Sequence, residues 1–258
     1  MVKEKKVIYY SDELNDEFAG VSKPDIDIAE DFVFINKNIL WRILSFIVYR
    51  IIMKPFAFIY CKLKLRLKVV DNTTKKMKGG CFLYCNHTLL AGDAFIPNVL
   101  RYFKKVYVIV NPENIASKGT KNFILMNGAI PIPKALKPFK NFLKAIERRL
   151  LEGNMITIYP EAHIWPYYTK IRHFKSVSFK FPVKFNAPVF VSTTTFQKKK
   201  FGKRPRVTVY LEGPFYADKN LSAKQATDML CEKVYKTMLK NSKNSTYEHI
   251  IYKKGDNK

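Results

Sequence analysis

The stretch GCFLYCNHTLLAGDAF, residues 80–95, decides the fold. Its first part, Gly80-Cys81-Phe82-Leu83-Tyr84, is apolar and uncharged, and reads as a buried strand. The sequence then passes through Asn86-His87 into a pattern that predicts a helix over about 89–102. The same alternation continues outward. Strands are expected at 65–70 (LRLKVV), 80–85, 105–110 (KVYVIV), 154–159 (NMITIY), 188–195 (PVFVSTTT) and 206–211 (RVTVYL). Helices are expected at about 89–102, 137–152, 174–185 and 222–240. The second of these carries Phe139, Phe142, Leu143, Ile146 and Leu150 at the helical period, with Gly153 to end it. The last opens with Ser222 and Gln225 at capping-box spacing. Alternating strands and helices predict an α/β fold, a central mixed sheet flanked by helices.

The chain has 258 residues, 47% hydrophobic and 14% aromatic, enough for one sizeable core and too apolar for a disordered chain. A net charge of +25 favours anionic partners: nucleic acid, an anionic bilayer or phosphorylated small molecules. No helix-turn-helix, zinc module or aromatic RNA-binding signature singles out nucleic acid. Cys61, Cys81, Cys85 and Cys231 lack metal-ligand spacing and read as small buried hydrophobes. The first thirty residues are charged and mixed, unlike a signal peptide, so a reduced, cytoplasm-facing setting is expected.

Residues 39–60, ILWRILSFIVYRIIMKPFAFIY, are long enough to cross a bilayer if helical. Arg42, Arg50 and Lys54 interrupt the run, and Pro55 is expected to break or kink it. Asn38, Arg42, Ser45 and Tyr49 form a polar stripe at helical spacing, and Trp41, Tyr49 and Tyr60 suit a membrane interface. The pattern predicts an amphipathic helix lying in the membrane surface, or a shallow helical hairpin, rather than a spanning helix, with Lys62, Lys64, Arg66 and Lys68 meeting anionic headgroups. The expected organisation is a polar arm over 1–30, a membrane-docking helical segment over 31–64, an α/β domain over 65–240 and a polar, mobile tail over 241–258.

Four short blocks stand where strands should end, the usual place for sites in open α/β sheets. The first is Asn86-His87 with Asp93. A carboxylate near an imidazole can fix its tautomer and stabilise the imidazolium, which suits a general base acting on a hydroxyl. The second is GAIPIPK, residues 128–134, a stiff extended segment ending in Lys134. The third is IYPEAHIWP, residues 158–166, which places Glu161 at a sheet end, with Lys170, Arg172, His173 and Lys175 downstream as a cationic group suited to phosphate. The fourth is the apolar strand APVFV, residues 187–191.

In this order the blocks resemble the glycerolipid acyltransferases, the family that includes 1-acylglycerol-3-phosphate acyltransferases. That family shows Asn-His, four residues and Asp, then a Gly-x-Ile block ending in a cation, a Pro-Glu-Gly-Thr-Arg block and a Pro-Val strand. The resemblance covers about residues 80–195, behind a segment like the family's membrane-docking helices. It implies that His87, oriented by Asp93, takes the proton of an acceptor hydroxyl, which attacks an acyl thioester. Acyl-CoA or acyl-acyl carrier protein is then a co-substrate, with no cofactor and no metal. Lys134, Glu161, His163, Lys170, Arg172 and Lys175 are the expected acceptor-binding residues. The implied partners are a lysophospholipid acceptor and an anionic membrane surface, with no nucleic acid. The implied location is the cytoplasmic face of the membrane, peripheral or monotopic. Another lysolipid or lipid-like alcohol is the alternative acceptor; a basic nucleic-acid-binding protein is the alternative of a different class.

The sequence departs from the family pattern in two ways. Five residues separate His87 from Asp93, so one extra residue must be absorbed, and Gly92 is the expected bulge. In the third block Ala162 stands for Gly and His163-Ile164 for Thr-Arg, so the family's phosphate-contacting Arg is missing, and Lys134 replaces an Arg in the second.

Overall fold

The computed structural model describes residues 5–19, 26–199, 202 and 204–255. Its main sheet has seven strands: β2 (Lys68–Val70), β3 (Cys81–Cys85), β4 (Val106–Val110), β5 (Ala129–Pro131), β6 (Met155–Ile158), β7 (Val189–Gln197) and β8 (Arg206–Phe215). They run in the order β2-β8-β7-β3-β6-β4-β5. Only the β7·β8 pair is antiparallel, so the sheet is mixed. β3 lies near the centre, paired in parallel with β6 and β7, and all five of its residues are buried.

Side chains alternate across β3 and feed two separate cores. Phe82 and Tyr84 face one, with Phe142 and Ile146 of α5 (Leu136–Leu151) and Val234 and Met238 of α7 (Ala223–Ser242). Cys81, Leu83 and Cys85 face the other, with Ile96 and Leu100 of α3 (Gly92–Leu100). The expected α/β architecture, with helices on both faces of a mixed sheet, is the one observed. Gly153 follows α5 with φ +76° and Ser222 and Gln225 close a capping box on α7. The 174–185 helix is shorter than expected, a 3₁₀ turn followed by α6 (Lys180–Phe185). α4 (Lys118–Met126) was not expected.

The helical segment Ile39–Leu65 precedes the domain, 27 residues or about 40 Å long. It consists of α1 (Ile39–Phe46), a π stretch, α2 (Lys54–Ile59) and a second π stretch to Leu65. Pro55 does not break it. Pro55 opens α2 just after the first π stretch, where the Lys54 N–H bonds to Tyr49 O five residues back, so the missing proline N–H is absorbed. The second π stretch carries the helix through Leu65, the first residue of the expected 65–70 strand; left-handed Arg66, φ 49°, ends the helix and β2 is only three residues long.

One face of this segment docks on the domain. Ser45 Oγ donates to Met126 O at 3.1 Å, and Tyr49 Oη donates to Asn98 Oδ1 at 2.7 Å while accepting the Val106 N–H at 2.7 Å. Beyond the end of α3, Lys54 Nζ donates to Arg101 O (2.9 Å), Lys104 O (2.7 Å) and Tyr102 O. Arg50 donates to Tyr102 O and Phe103 O. These side chains satisfy backbone carbonyls of the loop that follows α3. Part of the polar stripe thus faces protein: Tyr49, expected at a membrane interface, is buried. The opposite face is apolar and exposed, with Leu40 72%, Phe46 60%, Ile51 60% and Leu63 70% accessible.

Residues at both extremities of the sequence form a second sheet. β1 (Lys6–Tyr10) pairs in parallel with β9 (Ile250–Lys254). The tail expected to be mobile is therefore structured through β9, and part of the polar arm is a strand. Both runs, KVIYY and IIYKK, hold strand-favouring residues, but each acquires its partner only through the tertiary fold.

Candidate active site

β3 delivers Asn86 and His87 beyond its C-terminal end. Asn86 clamps onto β7: its Nδ2 donates to Thr194 O at 3.0 Å and its Oδ1 accepts the Thr194 N–H at 2.7 Å. This fixes the chain just before His87. Thr88 and Leu89 lie in irregular chain, Leu90 and Ala91 form a turn, and α3 begins at Gly92. Gly92 is not a bulge but the first residue of α3; a Cβ there would lie 2.8 Å from the Leu89 side chain.

Asp93 sits in the first turn of α3, where a negative charge is favoured. Its Oδ2 is 2.7 Å from His87 Nδ1 and accepts the N–H groups of Thr88 and Leu89, each at 2.9 Å. With every one of those donors on the carboxylate, Nδ1 carries the imidazole proton and Nε2 keeps the lone pair. The Asp93 side chain is 5% accessible and that of His87 23%. Tyr159, at the end of β6, stacks on the imidazole at 4.4 Å and donates through its hydroxyl to Asp93 O. Tyr159 was not among the expected site residues, although it lies in the third block.

Glu161 lies beneath His87 and is fully enclosed. Its Oε2 accepts the His87 N–H and its Oε1 the Arg172 N–H, both at 3.0 Å. Arg172 Nη2 lies 3.3 Å from Glu161 Oε2 and also donates to His163 O. Burial pushes the Glu161 carboxyl up, and Arg172 and the two backbone N–H groups pull against that push. Arg172 is therefore not a free cation for a ligand: it is buried, and its guanidinium lies 5.0 Å over the Trp165 ring. The position of the family's phosphate-contacting Arg is Ile164, also buried. Ala162, standing for Gly, adopts φ +62°.

A cavity of about 830 Å³ opens on His87, Asp93, Tyr159 and Glu161. Met53 and Ala57 of the helical segment, Val108 and Val110 of β4, Phe123 of α4 and Phe181 of α6 give it apolar walls. Its polar lining includes Asn15, Asn111, His163, His173 and Lys175. Of the expected acceptor-binding residues, His163 and Lys175 reach this cavity; Glu161 borders it, but its carboxylate is 0% accessible and held by His87 and Arg172. His163 Nδ1 is 3.3 Å from Glu17 Oε2, a carboxylate far away in sequence. Lys170 is exposed outside the lining. Lys134, past the end of β5, is exposed outside it too, its backbone N–H donating to Asp27 Oδ1. All four cysteines are buried free thiols, and burial pushes them up, Cys61 to about 12 and Cys81 to about 11. None is poised as a nucleophile.

The fold is similar to that of the 1-acyl-sn-glycerophosphate (LPA) acyltransferase PlsC from Thermotoga maritima. The TM-score is 0.50 at 16% identity, covering 81% of this chain and 95% of that one. No protein-family model matches the sequence, and no curated protein matches it. At that identity the likeness concerns the fold.

Proposed function

We propose that this protein is a membrane-associated O-acyltransferase. It moves a fatty acyl group from a thioester of coenzyme A or acyl carrier protein to the free hydroxyl of 1-acylglycerol-3-phosphate, giving phosphatidic acid. The observation that carries this reading is the His87–Asp93 pair, 2.7 Å apart on a large, mostly apolar cavity. His87 Nε2 takes the hydroxyl proton, the oxygen attacks the thioester carbonyl, the C–S bond breaks, and the imidazolium returns the proton to the departing thiolate. Asp93 holds the tautomer and stabilises the imidazolium. No covalent acyl-enzyme is needed, consistent with the inert thiols. The likeness in fold to an enzyme acting on the same acceptor adds support.

The apolar walls suit an acyl chain, at roughly 0.8 kcal/mol for each CH₂ taken from water. The exposed face of Ile39–Leu65 supports docking in a membrane surface. Its other face is bonded to the domain from Ser45 to Lys54, so a spanning orientation would draw polar protein surface into lipid. Exposed Lys62, Lys64, Arg66 and Lys68 then meet anionic lipids, on the cytoplasmic face in this reading.

Lys175, with His173 and His163, is the cationic group available to an acceptor phosphate. The buried Ile164 favours a second reading, a lysolipid or lipid-like alcohol without a phosphate monoester. An acceptor panel decides. Purified protein receives one labelled acyl thioester with lysophosphatidic acid, other lysophospholipids or simple alcohols, and products are weighed by mass spectrometry. Phosphatidic acid as the main product supports the first reading, and ester only from phosphate-free acceptors supports the second. No ester from any acceptor contradicts both.

A further inference from the structure

We infer that the β1·β9 sheet and the segment leading from it to Phe18 are a positioning strap for His87, acting through Trp165 and Arg172. This rests on His87 being the base.

Both peptide groups of His87 are held by the loop that follows β6. Its N–H donates to Glu161 and its C=O accepts the Trp165 N–H at 3.1 Å. The Tyr167 N–H holds Thr88 O at 2.8 Å. Asp93 governs the ring, but this loop governs the backbone from which the ring projects.

The loop is itself fastened from outside by the strap. Trp165 is fully buried, yet it belongs to neither of the two cores that flank the main sheet. Its ring packs against three strap residues, Tyr10 of β1 (4.8 Å between ring centroids), Phe18 (5.1 Å) and Tyr252 of β9 (5.1 Å, stacked), and against Tyr168 of its own loop (5.1 Å). Its indole N–H donates to Asp16 O at 2.8 Å, and Tyr252 Oη donates to Pro166 O at 2.9 Å. Arg172 stacks on the same indole and reaches Glu161 with Nη2. The strap therefore touches His87 by two routes: the Trp165 backbone, and Trp165–Arg172–Glu161. Both converge on the backbone of one residue, and the ring that links them, Trp165, lies outside the two cores of the main sheet. That convergence makes the strap a positioning device for His87.

The test is the double variant Tyr10→Ala/Phe18→Ala, read by amide hydrogen exchange and by transfer kinetics. The amides of His87, Thr88 and Leu89 should lose at least tenfold in protection, while β4 and α5 keep theirs. Turnover should fall at least tenfold, with KM for the acyl thioester within twofold, and the conservative pair Tyr10→Phe/Phe18→Tyr should restore both. Unchanged protection and turnover overturn the inference. If protection falls everywhere, the milder Phe18→Leu is read the same way, and a uniform loss there also overturns it in favour of a general structural role. Failure of the proposed function looks different: local protection still falls at 87–89, but the wild-type protein transfers no acyl group.

Discussion

Arg172 is turned onto Glu161 rather than toward the cavity. Its Nη2 lies 3.3 Å from Glu161 Oε2, with the two side chains 1% and 0% accessible. A cation that reads in sequence as a phosphate ligand thus serves as the counter-charge of the carboxylate beneath His87. Replacing it with Met should cost about 3–5 kcal/mol of stability, because an uncompensated buried carboxylate is left behind. Denaturant unfolding measures this. A loss under 1 kcal/mol would mean that Glu161 does not depend on Arg172.

Ala162 occupies a left-handed conformation at φ +62°, where the Cβ is unfavourable. A glycine at this place would carry no such penalty. Ala162→Gly should therefore stabilise the protein by about 1 kcal/mol, net of the extra freedom of the unfolded glycine. A shift of the urea midpoint at constant slope reports it, and destabilisation would show that the backbone is not strained there.

Lys54 fastens the helical segment to the carbonyls after α3. Burial, with Arg50 and Arg101 nearby, pushes its amine down from 10.5 to about 7. Between those values the unfolded chain holds a proton that the folded chain has released, so stability rises with pH across that window. Lys105, pushed down to about 8, adds to the same slope. The readout is therefore the difference between wild type and Lys54→Met: melting temperature should climb less steeply in the variant between pH 7 and 10. Parallel curves would remove Lys54 from the linkage.

Leu40 and Ile51 are 72% and 60% accessible on the undocked face of the helical segment. Leu40→Asp/Ile51→Asp should leave unfolding within about 0.5 kcal/mol of wild type, since neither residue is packed. Sedimentation with anionic vesicles should fall severalfold. Unchanged sedimentation would move the membrane contact elsewhere.

The strand β3 and the helices α5 and α7 were legible in the sequence because hydrophobic period and caps are local signals; α3 starts at Gly92, three residues later than its expected start near 89. The His87–Asp93 contact was legible as a pairing but not in its geometry; Gly92 opens α3 instead of forming the expected bulge. What local reasoning missed was what long-range contacts decide. The fate of Arg172 depends on Glu161 eleven positions earlier and on the Trp165 ring. Pro55 was misread because a π stretch, unmarked in composition, absorbs it. β1 and β9 pair across almost the whole chain, and neither run predicts the other.

The central claim is that the imidazole at position 87, held in one tautomer by Asp93, removes the proton of the acceptor. The most direct measurement is single-turnover transfer from a labelled acyl thioester by wild type, His87→Ala and Asp93→Asn on the same vesicles. In the Asn variant one atom fills the Oδ2 place that faces Nδ1 and both N–H groups: an amide oxygen there keeps the three bonds but is neutral and no longer stabilises the imidazolium, and an NH₂ there gives up the Thr88 and Leu89 bonds and moves the ring proton to Nε2. Both variants should then lose roughly 10²–10⁴-fold in rate, with donor binding and fold retained. Transfer by His87→Ala at the wild-type rate would contradict the account.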